Sequence, residues 1–265
     1  MLTIDAKAMV DEVVKALNVA ESQLPFALAK AITQTAQQVR EAERNEMRKV
    51  FSNPTPFTLN SLFLRAATKS RLQAEVWLKW GNQPEHYLLP QIQGGSRPLK
   101  RFERRMVMTG LMGPGQRAVP AAGAKLNAYG NMSEGQIVQI LSQLRTDVVS
   151  GVNQNATNSK RSRAKRAKVA YFVSRGPGAR KGSGKGSRRP AAQNLPAGVW
   201  ARYSFSWGSA VKPVLLFVNG TRYSKRFDFF KVADSAVASA FLTAFAAAAQ
   251  EAMRTARLSQ QGGLF

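Results

Sequence analysis

Cysteine is absent from this chain of 265 residues, and histidine occurs once, at His86. Without cysteine the chain can form no disulfide, thiolate metal site or cysteine nucleophile. One histidine cannot supply a histidine-rich metal site, and no Gly-x-Ser-x-Gly elbow accompanies it, so we expect His86 to be either structural or exposed. The glycine-rich stretch 182–187 is not a nucleotide-binding loop, because Lys185 precedes Gly186 where that loop needs Ser or Thr. We therefore expect no catalytic residues, no metal, no cofactor and no enzymatic activity.

Two membrane-related features are also missing from the sequence. The N-terminus, Met1–Lys7, has no basic segment followed by an apolar core, which a signal peptide requires. The longest uncharged apolar run, Ser235–Gln250, is alanine-rich and shorter than the roughly 20 residues that span a bilayer. We therefore expect a soluble product of the cytoplasm with no membrane partner.

Acidic residues are missing from residues 148–227, although this segment holds 17 Lys and Arg. It therefore carries +17 of the formal net charge of +24. Charge concentrated in one segment indicates an anionic partner. The segment has no element aimed at base edges, so contact with nucleic acid would use phosphates without sequence specificity. The candidate residues for contact with DNA or another anionic partner are Lys160, Arg161, Arg163, Lys165, Arg166, Lys168, Arg175, Arg180, Lys181, Lys185, Arg188 and Arg189.

Hydrophobic periodicity predicts helices at both ends of the chain. A short amphipathic helix is expected over 5–17, a long one over 25–50 and a C-terminal helix that ends near residue 258 and packs on a sheet. The apolar side of the long helix consists of Leu28, Ile32, Thr35, Val39 and Ala42. The acidic residues of this helix are interpreted as solvated charges; they are Glu41, Glu43 and Glu46.

Four or five antiparallel strands are predicted between these helices. Their ranges are 59–67, 74–80, 169–173, 199–207 and 213–218, and Asn219-Gly220 predicts a hairpin turn toward 221–224. One further helix is expected over 97–109. Another begins at a capping box of Ser133 and Gln136 and ends at Gly151; its apolar face holds Ile137, Ile140, Leu141, Leu144 and Val148.

Separate helical and strand segments are typical of an α+β fold. The predicted organisation is one domain with an insertion. Residues 1–152 supply the N-terminal helices, a strand pair and a glycine- and proline-rich region, and residues 194–265 complete the same domain. The basic insertion, 153–193, contains too little apolar surface to offset its ordering entropy, so we expect it to be flexible outside its one strand.

The most informative stretch runs from Tyr87 to Leu144. It contains Pro90-Gln-Ile-Gln-Gly-Gly-Ser-Arg97, then Lys100-Arg-Phe-Glu103, and later Tyr129-Gly-Asn-Met-Ser-Glu-Gly-Gln-Ile-Val-Gln-Ile-Leu-Ser142. These segments resemble the PQI-x-GG-x-R, KRFE and YGN-M-S-x-GQ-I-x-QILS motifs of the prophage minor tail protein Z family of tailed bacteriophages. The likeness extends from Asn53-Pro-Thr-Pro-Phe-Thr58 to the C-terminal strands and helix, and so covers most of the chain.

This resemblance implies a structural virion protein, a tail-completion or neck protein made in the host cytoplasm. It implies a homo-oligomeric ring, a hexamer, that contacts the tail terminator or tail tube and the head connector proteins around the DNA conduit. The fold that it implies is the small sheet-and-helix fold of tail terminators. Phage DNA in the lumen, an acidic neighbouring ring and the tape-measure protein all remain open as partners of the basic segment.

The motif-like region also supplies candidate assembly contacts. A glycine pair there predicts a backbone turn with positive φ, and the basic side chains of the helix over 97–109 predict one charged stripe. The candidates are Gly94, Gly95, Arg97, Lys100, Arg101, Arg104 and Arg105. A simple turn and a solvated helix face are the alternatives for these residues.

Two other classes of function are kept beside the phage hypothesis. A non-specific nucleic-acid-binding protein would use the acid-free segment, although the rest of the chain shows no known binding module. An enzyme is the third class, and it lacks a recognisable set of catalytic residues.

Overall fold

The computed structural model describes residues 2–4, 23–79, 86–146, 156–177 and 194–261, with the backbone alone at 2–4 and 256–261. Helices in these ranges are α1 (Leu24–Val50), α2 (Pro56–Leu59), α3 (Leu89–Gln93), α4 (Arg101–Met108), α5 (Glu134–Leu144), α6 (Lys160–Lys168) and α7 (Phe229–Gln261). Strands are β1 (Leu2–Ile4), β2 (Leu62–Arg65), β3 (Ala74–Leu78), β4 (Gly95–Ser96), β5 (Gln116–Pro120), β6 (Val169–Ser174), β7 (Gly198–Phe205), β8 (Gly208–Asn219) and β9 (Arg222–Tyr223). All strand pairs are antiparallel, so the predicted α+β class is confirmed. The predicted helix over 5–17 lies outside the described residues.

The chain divides into two compact units. One contains residues 1–94 and 224–265, here called the helical unit, and the other contains residues 95–223, here called the basic unit. The chain passes between them at Gly94–Gly95 and at Tyr223–Ser224. These boundaries differ from the predicted divisions after residues 152 and 193, since residues 95–152 and 194–223 belong to the same unit as the insertion between them.

Helices α1 and α7 form the centre of the helical unit. Pro25 lies in the first turn of α1, where its missing N–H removes no helical hydrogen bond. The two helices run antiparallel, since Lys30 near the start of α1 is ion-paired with Glu251 near the end of α7. Small buried residues, including Ala31 and Ala36 on α1 and Ala244, Ala248 and Ala252 on α7, allow the helices to pack closely. The prediction that the C-terminal helix packs mainly on a sheet is therefore wrong; α1 is its main partner.

A three-stranded sheet of order β1-β3-β2 completes the helical unit. The predicted strands over 59–67 and 74–80 correspond to β2 and β3, both shorter than predicted. Val76 and Leu78 are buried, while Trp77 faces the other side, as the alternation in the sequence predicts. Strand β1 was not predicted, because its three residues carry too little pattern to show a period of two.

The basic unit is built on a four-stranded sheet of order β5-β8-β7-β6. Met106 of α4 and Ile140 of α5 join Tyr171, Val199 and Leu215 in its core. Strand β8 is longer than predicted and forms a hairpin with β7 through Ser206 and Trp207. The predicted hairpin across Asn219-Gly220 is wrong, since β9 pairs with β4 and not with β8.

Ser133 is the N-cap of helix α5, close to the predicted start, but it forms no capping box. The Ser133 hydroxyl makes no capping hydrogen bond. The buried Gln136 side chain instead accepts from the Lys125 amide at 2.7 Å and donates to the Gly123 carbonyl at 3.0 Å. Arg145, in the left-handed conformation, ends the helix before the predicted Gly151. Of its predicted apolar face, Ile140 is buried and Leu144 is half-buried.

The predicted flexible insertion is partly ordered. Residues 160–168 form α6, and residues 169–174 form edge strand β6, which confirms the predicted strand. Gln143 accepts from the Tyr171 amide at 3.0 Å and donates to the Val169 carbonyl at 3.1 Å, so its side chain satisfies part of the open sheet edge. The helix over 160–168 was not predicted, the flexibility of the insertion stays a prediction, and residues 178–193 lie outside the described part of the chain.

Helix α7 also bears on the membrane prediction. In the described part of the chain one helical stretch, Phe229–Thr255, is long and apolar enough to cross a membrane by length and composition. Its buried residues Phe241 and Phe245 belong to the core shared with α1. A core helix of a globular unit passes the same compositional test, so the absence of a membrane partner stays a prediction.

Candidate anion-binding and assembly surface

Most of the net positive charge of the chain lies in the basic unit. Residues 95–223 contain 23 Lys and Arg and three Asp and Glu, a formal net charge of +20. The remaining residues contain 16 basic and 12 acidic residues, a net charge of +4. The basic unit is therefore the part of the chain that an anionic partner would meet most favourably.

Helix α6 is the densest group of cations in the described residues. Ser159 caps its N-terminus, where the hydroxyl accepts from the Ser162 amide at 3.3 Å. No residue of α6 is buried, and its three-dimensional neighbours are β6 and β7. Three cations in its last turn interact favourably with the helix dipole, but the six cations repel one another. An anion along this helix would relieve that repulsion.

The structure brings six of the twelve predicted anion contacts together on α6. Lys160, Arg161, Arg163, Lys165 and Lys168 are exposed, and Arg166 is half-buried. Arg175 is exposed beyond the end of β6, and its guanidinium donates to the Gly110 carbonyl at 3.5 Å. The other five predicted contacts lie outside the described residues; they are Arg180, Lys181, Lys185, Arg188 and Arg189.

Arg97 and Glu103 form a buried bidentate ion pair in the motif-like region. The two Nη–Oε distances are 2.6 and 2.7 Å, and the Glu103 side chain is fully buried. Glu103 also accepts from the amides of Lys100 at 2.7 Å and Ala118 at 2.8 Å. One carboxylate thus ties the loop before α4, the N-terminus of α4 and strand β5 together. The Arg97 side chain is used within the fold, and its predicted role as an assembly contact stays a prediction.

Electrostatics support this assignment of Arg97 and Glu103. Burial acts to raise the pKa of Glu103, but hydrogen bonds from Arg97 and from the backbone amides of Ala118 and Lys100 outweigh it and lower that pKa. The hydrogen bond to Glu103 raises the pKa of Arg97. Both groups are therefore charged at neutral pH, and each satisfies the other in a place where an unpaired charge would be costly.

The other predicted assembly contacts lie around this ion pair. Gly94 and Gly95 have φ values of 80° and 98°, which confirms the predicted turn with positive φ. Lys100, Arg101 and Arg105 are exposed at α4, and Arg104 is half-buried. Phe102 and Met106 face the core on the other side, so the predicted basic stripe exists. Its role in assembly stays a prediction.

An aromatic pair at the tip of the β7–β8 hairpin was not singled out from the sequence. The rings of Phe205 and Trp207 stack with centroids 5.3 Å apart and an interplanar angle of 12°. Trp207 is 85% exposed and Phe205 is 49% exposed. Both fall within the predicted strand over 199–207, and only the position of the turn reveals that they lie beyond the core.

Glu43 was also missed. It is fully buried on α1 between Val39 and Met47, four residues from each, and neither of its carboxyl oxygens has a hydrogen-bond partner among the described residues. Burial, followed by the nearby charges of Glu46 and Asp228, raises the pKa of Glu43 to about 9. The interpretation as a solvated charge is wrong. The spacing from Val39 was the sequence signal, because it continues the apolar stripe.

His86 lies in the helical unit and has a local structural role. It is buried, its Nδ1 accepts from the Leu88 amide at 3.2 Å, and its ring stacks on Tyr87 with centroids 4.5 Å apart. Burial lowers the pKa of His86, so the ring is neutral near pH 7. Of the two predicted possibilities, structural or exposed, this geometry fits the structural one.

Within the described ranges, no group of three or more His, Asp or Glu residues is arranged to hold a metal ion. No protein-family model matches the chain, and no curated protein or solved structure is detectably similar to it.

Proposed function

We propose that this chain is a structural virion protein of a tailed bacteriophage, a tail-completion or neck protein that joins the tail to the head connector. The observation that carries the proposal is the concentration of charge in the basic unit, since residues 95–223 carry a formal net charge of +20, which suits a subunit placed around a DNA conduit. The motif resemblance in residues 90–142 supplies the class of protein. It also suggests the tail-terminator-like fold and a hexameric ring.

Positive charge that contacts DNA without recognising its bases suits a conduit, because DNA of any sequence must move through it. Phosphate contacts from Lys and Arg are independent of sequence and allow DNA to slide. Helix α6 offers such contacts along roughly 13 Å, at 1.5 Å per residue over its nine residues. The proposed role of α6 is therefore to face the DNA in the assembled ring.

A gene deletion tests the proposed function in particles. Phage that lack this chain should make intact heads and tails that fail to join or to deliver DNA. Electron microscopy of the lysate and plaque counts measure this outcome. Normal infectious particles without the protein would overturn the proposal.

A binding experiment tests the proposed DNA contact. The parent should bind random-sequence duplex DNA with an affinity that falls steeply with salt, at a slope of about −0.9 for each phosphate contact. Changing Lys160, Arg163 and Lys165 to Gln should remove about three phosphate contacts, and the slope should become less steep by the corresponding amount. The control changes Arg48, Lys49 and Lys69 of the helical unit to Gln, which removes the same charge and should leave the slope nearly unchanged. Equal effects of the two triple variants would remove α6 from the interface.

The same basic unit also supports a second candidate, a non-specific nucleic-acid-binding protein outside the virion. The particle-level experiment separates the two candidates, because such a protein would bind DNA in vitro but be absent from purified virions. An acidic neighbouring protein as partner would instead give weak DNA binding and salt-sensitive binding to that protein.

A further inference from the structure

The β7–β8 hairpin of the basic unit ends in an exposed aromatic tip, formed by Phe205 and Trp207. Phe205 pairs with Gly208, so Trp207 lies in the two-residue turn itself. The two rings stack with centroids 5.3 Å apart, and the Trp207 side chain is 85% exposed. Packing in the core therefore does not explain this pair, and most of the indole surface is open to a partner.

Helix α6 lies at the same end of the sheet as the aromatic tip. It runs directly into β6, whose first residue, Val169, pairs with Tyr203 of β7. Two strand residues of about 3.3 Å each and one strand spacing of about 4.8 Å place the start of β6 roughly 8 Å from Phe205. Contacts between α6 and β7 agree with this placement. The last turn of α6, which carries three cations, is therefore close to two exposed rings.

This combination of rings and cations fits a single strand of DNA. Such a strand presents anionic phosphates and flat unpaired bases, and proteins that bind it combine a cationic surface with aromatic side chains on which the bases stack. Residues 148–227, which contain α6 and the hairpin, include no Asp or Glu, so no carboxylate of this segment competes with the phosphates. A duplex offers the same phosphates, but its bases are already stacked on one another.

The residues around the aromatic tip argue against a lipid bilayer as its partner. Ser204, Ser206 and Ser209 flank the rings and are exposed. A segment that binds a bilayer buries a continuous apolar face, whereas this hairpin offers two rings between polar neighbours. Base stacking needs only the flat face of one ring, so the observed surroundings suit it better.

We propose that the aromatic tip stacks on unpaired bases of single-stranded DNA while the cations of α6 contact the phosphates of the same strand. Trp207 is the residue that contacts the base. Phe205 supports the indole from the other side of the stack. The proposal rests on the phosphate contact of α6 proposed above, and it adds a preference for DNA with unpaired bases.

Fluorescence anisotropy with three labelled probes tests the stacking. The probes are an oligothymidine strand, an abasic strand of the same length and a random-sequence duplex. The parent should bind the oligothymidine strand more tightly than the abasic strand. Trp207→Ala should weaken binding to the oligothymidine strand by about 5- to 150-fold, the effect of losing one base stack, and should leave binding to the other two probes nearly unchanged. Trp207→Phe keeps a ring and should lose less affinity than Trp207→Ala.

Phe57→Ala is the matched control for the loss of an exposed ring. Phe57 is 76% exposed and stacks on Tyr87 with centroids 6.2 Å apart, but it belongs to the helical unit, whose net charge is +4. This variant should bind all three probes like the parent. Changing Lys160, Arg163 and Lys165 to Gln should weaken binding to every probe, because it removes phosphate contacts and no stacking. Thermal unfolding should show that all variants are folded.

Each other outcome overturns the stacking. Equal affinity of the parent for the oligothymidine and abasic strands would reject it and leave the phosphate contact of α6 standing, as would equal effects of Trp207→Ala and Phe57→Ala. Tighter binding to oligouridine than to oligothymidine would assign the tip to RNA. Binding to phosphatidylglycerol vesicles that depends on Trp207, without a change in DNA binding, would assign it to a bilayer. No binding of any DNA probe at low salt would reject both the stacking and the DNA contact of α6.

Discussion

Replacing Glu43 with Gln should stabilise the helical unit, and the gain should grow with pH. Glu43 is 0% exposed in the core shared by α1 and α7. Its pKa rises from 4.5 to about 9, first through burial and then through the charges of Glu46 and Asp228. A carboxyl in such a place stays protonated at neutral pH in the folded chain, whereas the unfolded chain ionises it.

The size of the effect follows from proton linkage. Below pH 4.5 the Glu43 carboxyl is protonated in both states, so its ionisation costs no stability. Between pH 4.5 and about 9, only the unfolded chain releases the proton, and the free energy of unfolding falls by about 1.4 kcal/mol per pH unit. At pH 7 the loss is about 3 kcal/mol. A Gln side chain does not ionise, so the Glu43→Gln variant escapes this loss.

Urea unfolding followed by circular dichroism at several values between pH 5 and pH 8 measures this difference. The variant's advantage over the parent should increase by about 4 kcal/mol across that range. Glu41→Gln is the control in the same helix, because Glu41 is exposed and paired with Arg44 and Arg48. Its difference from the parent should change by less than about 1 kcal/mol. An advantage of Glu43→Gln that does not change with pH would refute the reasoning.

Two further predictions concern the core of the basic unit, and urea unfolding measures both. Arg97→Ala should lower the free energy of unfolding by about 3–5 kcal/mol, because it leaves Glu103 charged and without its arginine partner. Changing both residues to Met should lower it by less. An equal or greater loss for the double change would contradict this account of the pair. Ile140→Ala should lower the free energy of unfolding by about 2–5 kcal/mol, and Leu144→Ala should lower it clearly less because Leu144 is half-buried. Equal losses would show that Leu144 is packed as tightly as Ile140.

Strong local patterns made parts of the fold predictable. The apolar stripe of α1 continues over 27 residues, and its start and end agree with the prediction to within one residue. Strand β3 was recognisable because buried residues alternate with half-buried ones along its length. In these elements local preference and tertiary packing agree, which is why sequence reasoning succeeds there.

Pairings between distant segments were not predictable in the same way. Asn219-Gly220 is a good local signal for a hairpin, but the strand that follows it, β9, pairs with β4, more than 120 residues earlier in the chain. Ser133 and Gln136 have the spacing of a capping box, but the Gln136 side chain satisfies the backbone near Gly123 and Lys125. In both cases a tertiary hydrogen bond replaced the local one that the sequence suggested.

At the candidate site, too, the sequence did not show which distant segments fold together, and this matters for the proposed function. The sequence predicted a basic, flexible insertion over 153–193, but the fold places 160–174 in the same unit as the cations of α4 and β5. Charge on a folded element needs little ordering when it binds, whereas a disordered arm loses conformational entropy at that moment. A shaped basic surface can therefore hold a polyanion at a fixed distance, which a ring around a moving DNA would require. The same limit applies to Phe205 and Trp207, which fall within the predicted strand over 199–207 but are exposed at the β7–β8 turn, because the position of a turn depends on how the two strands pair.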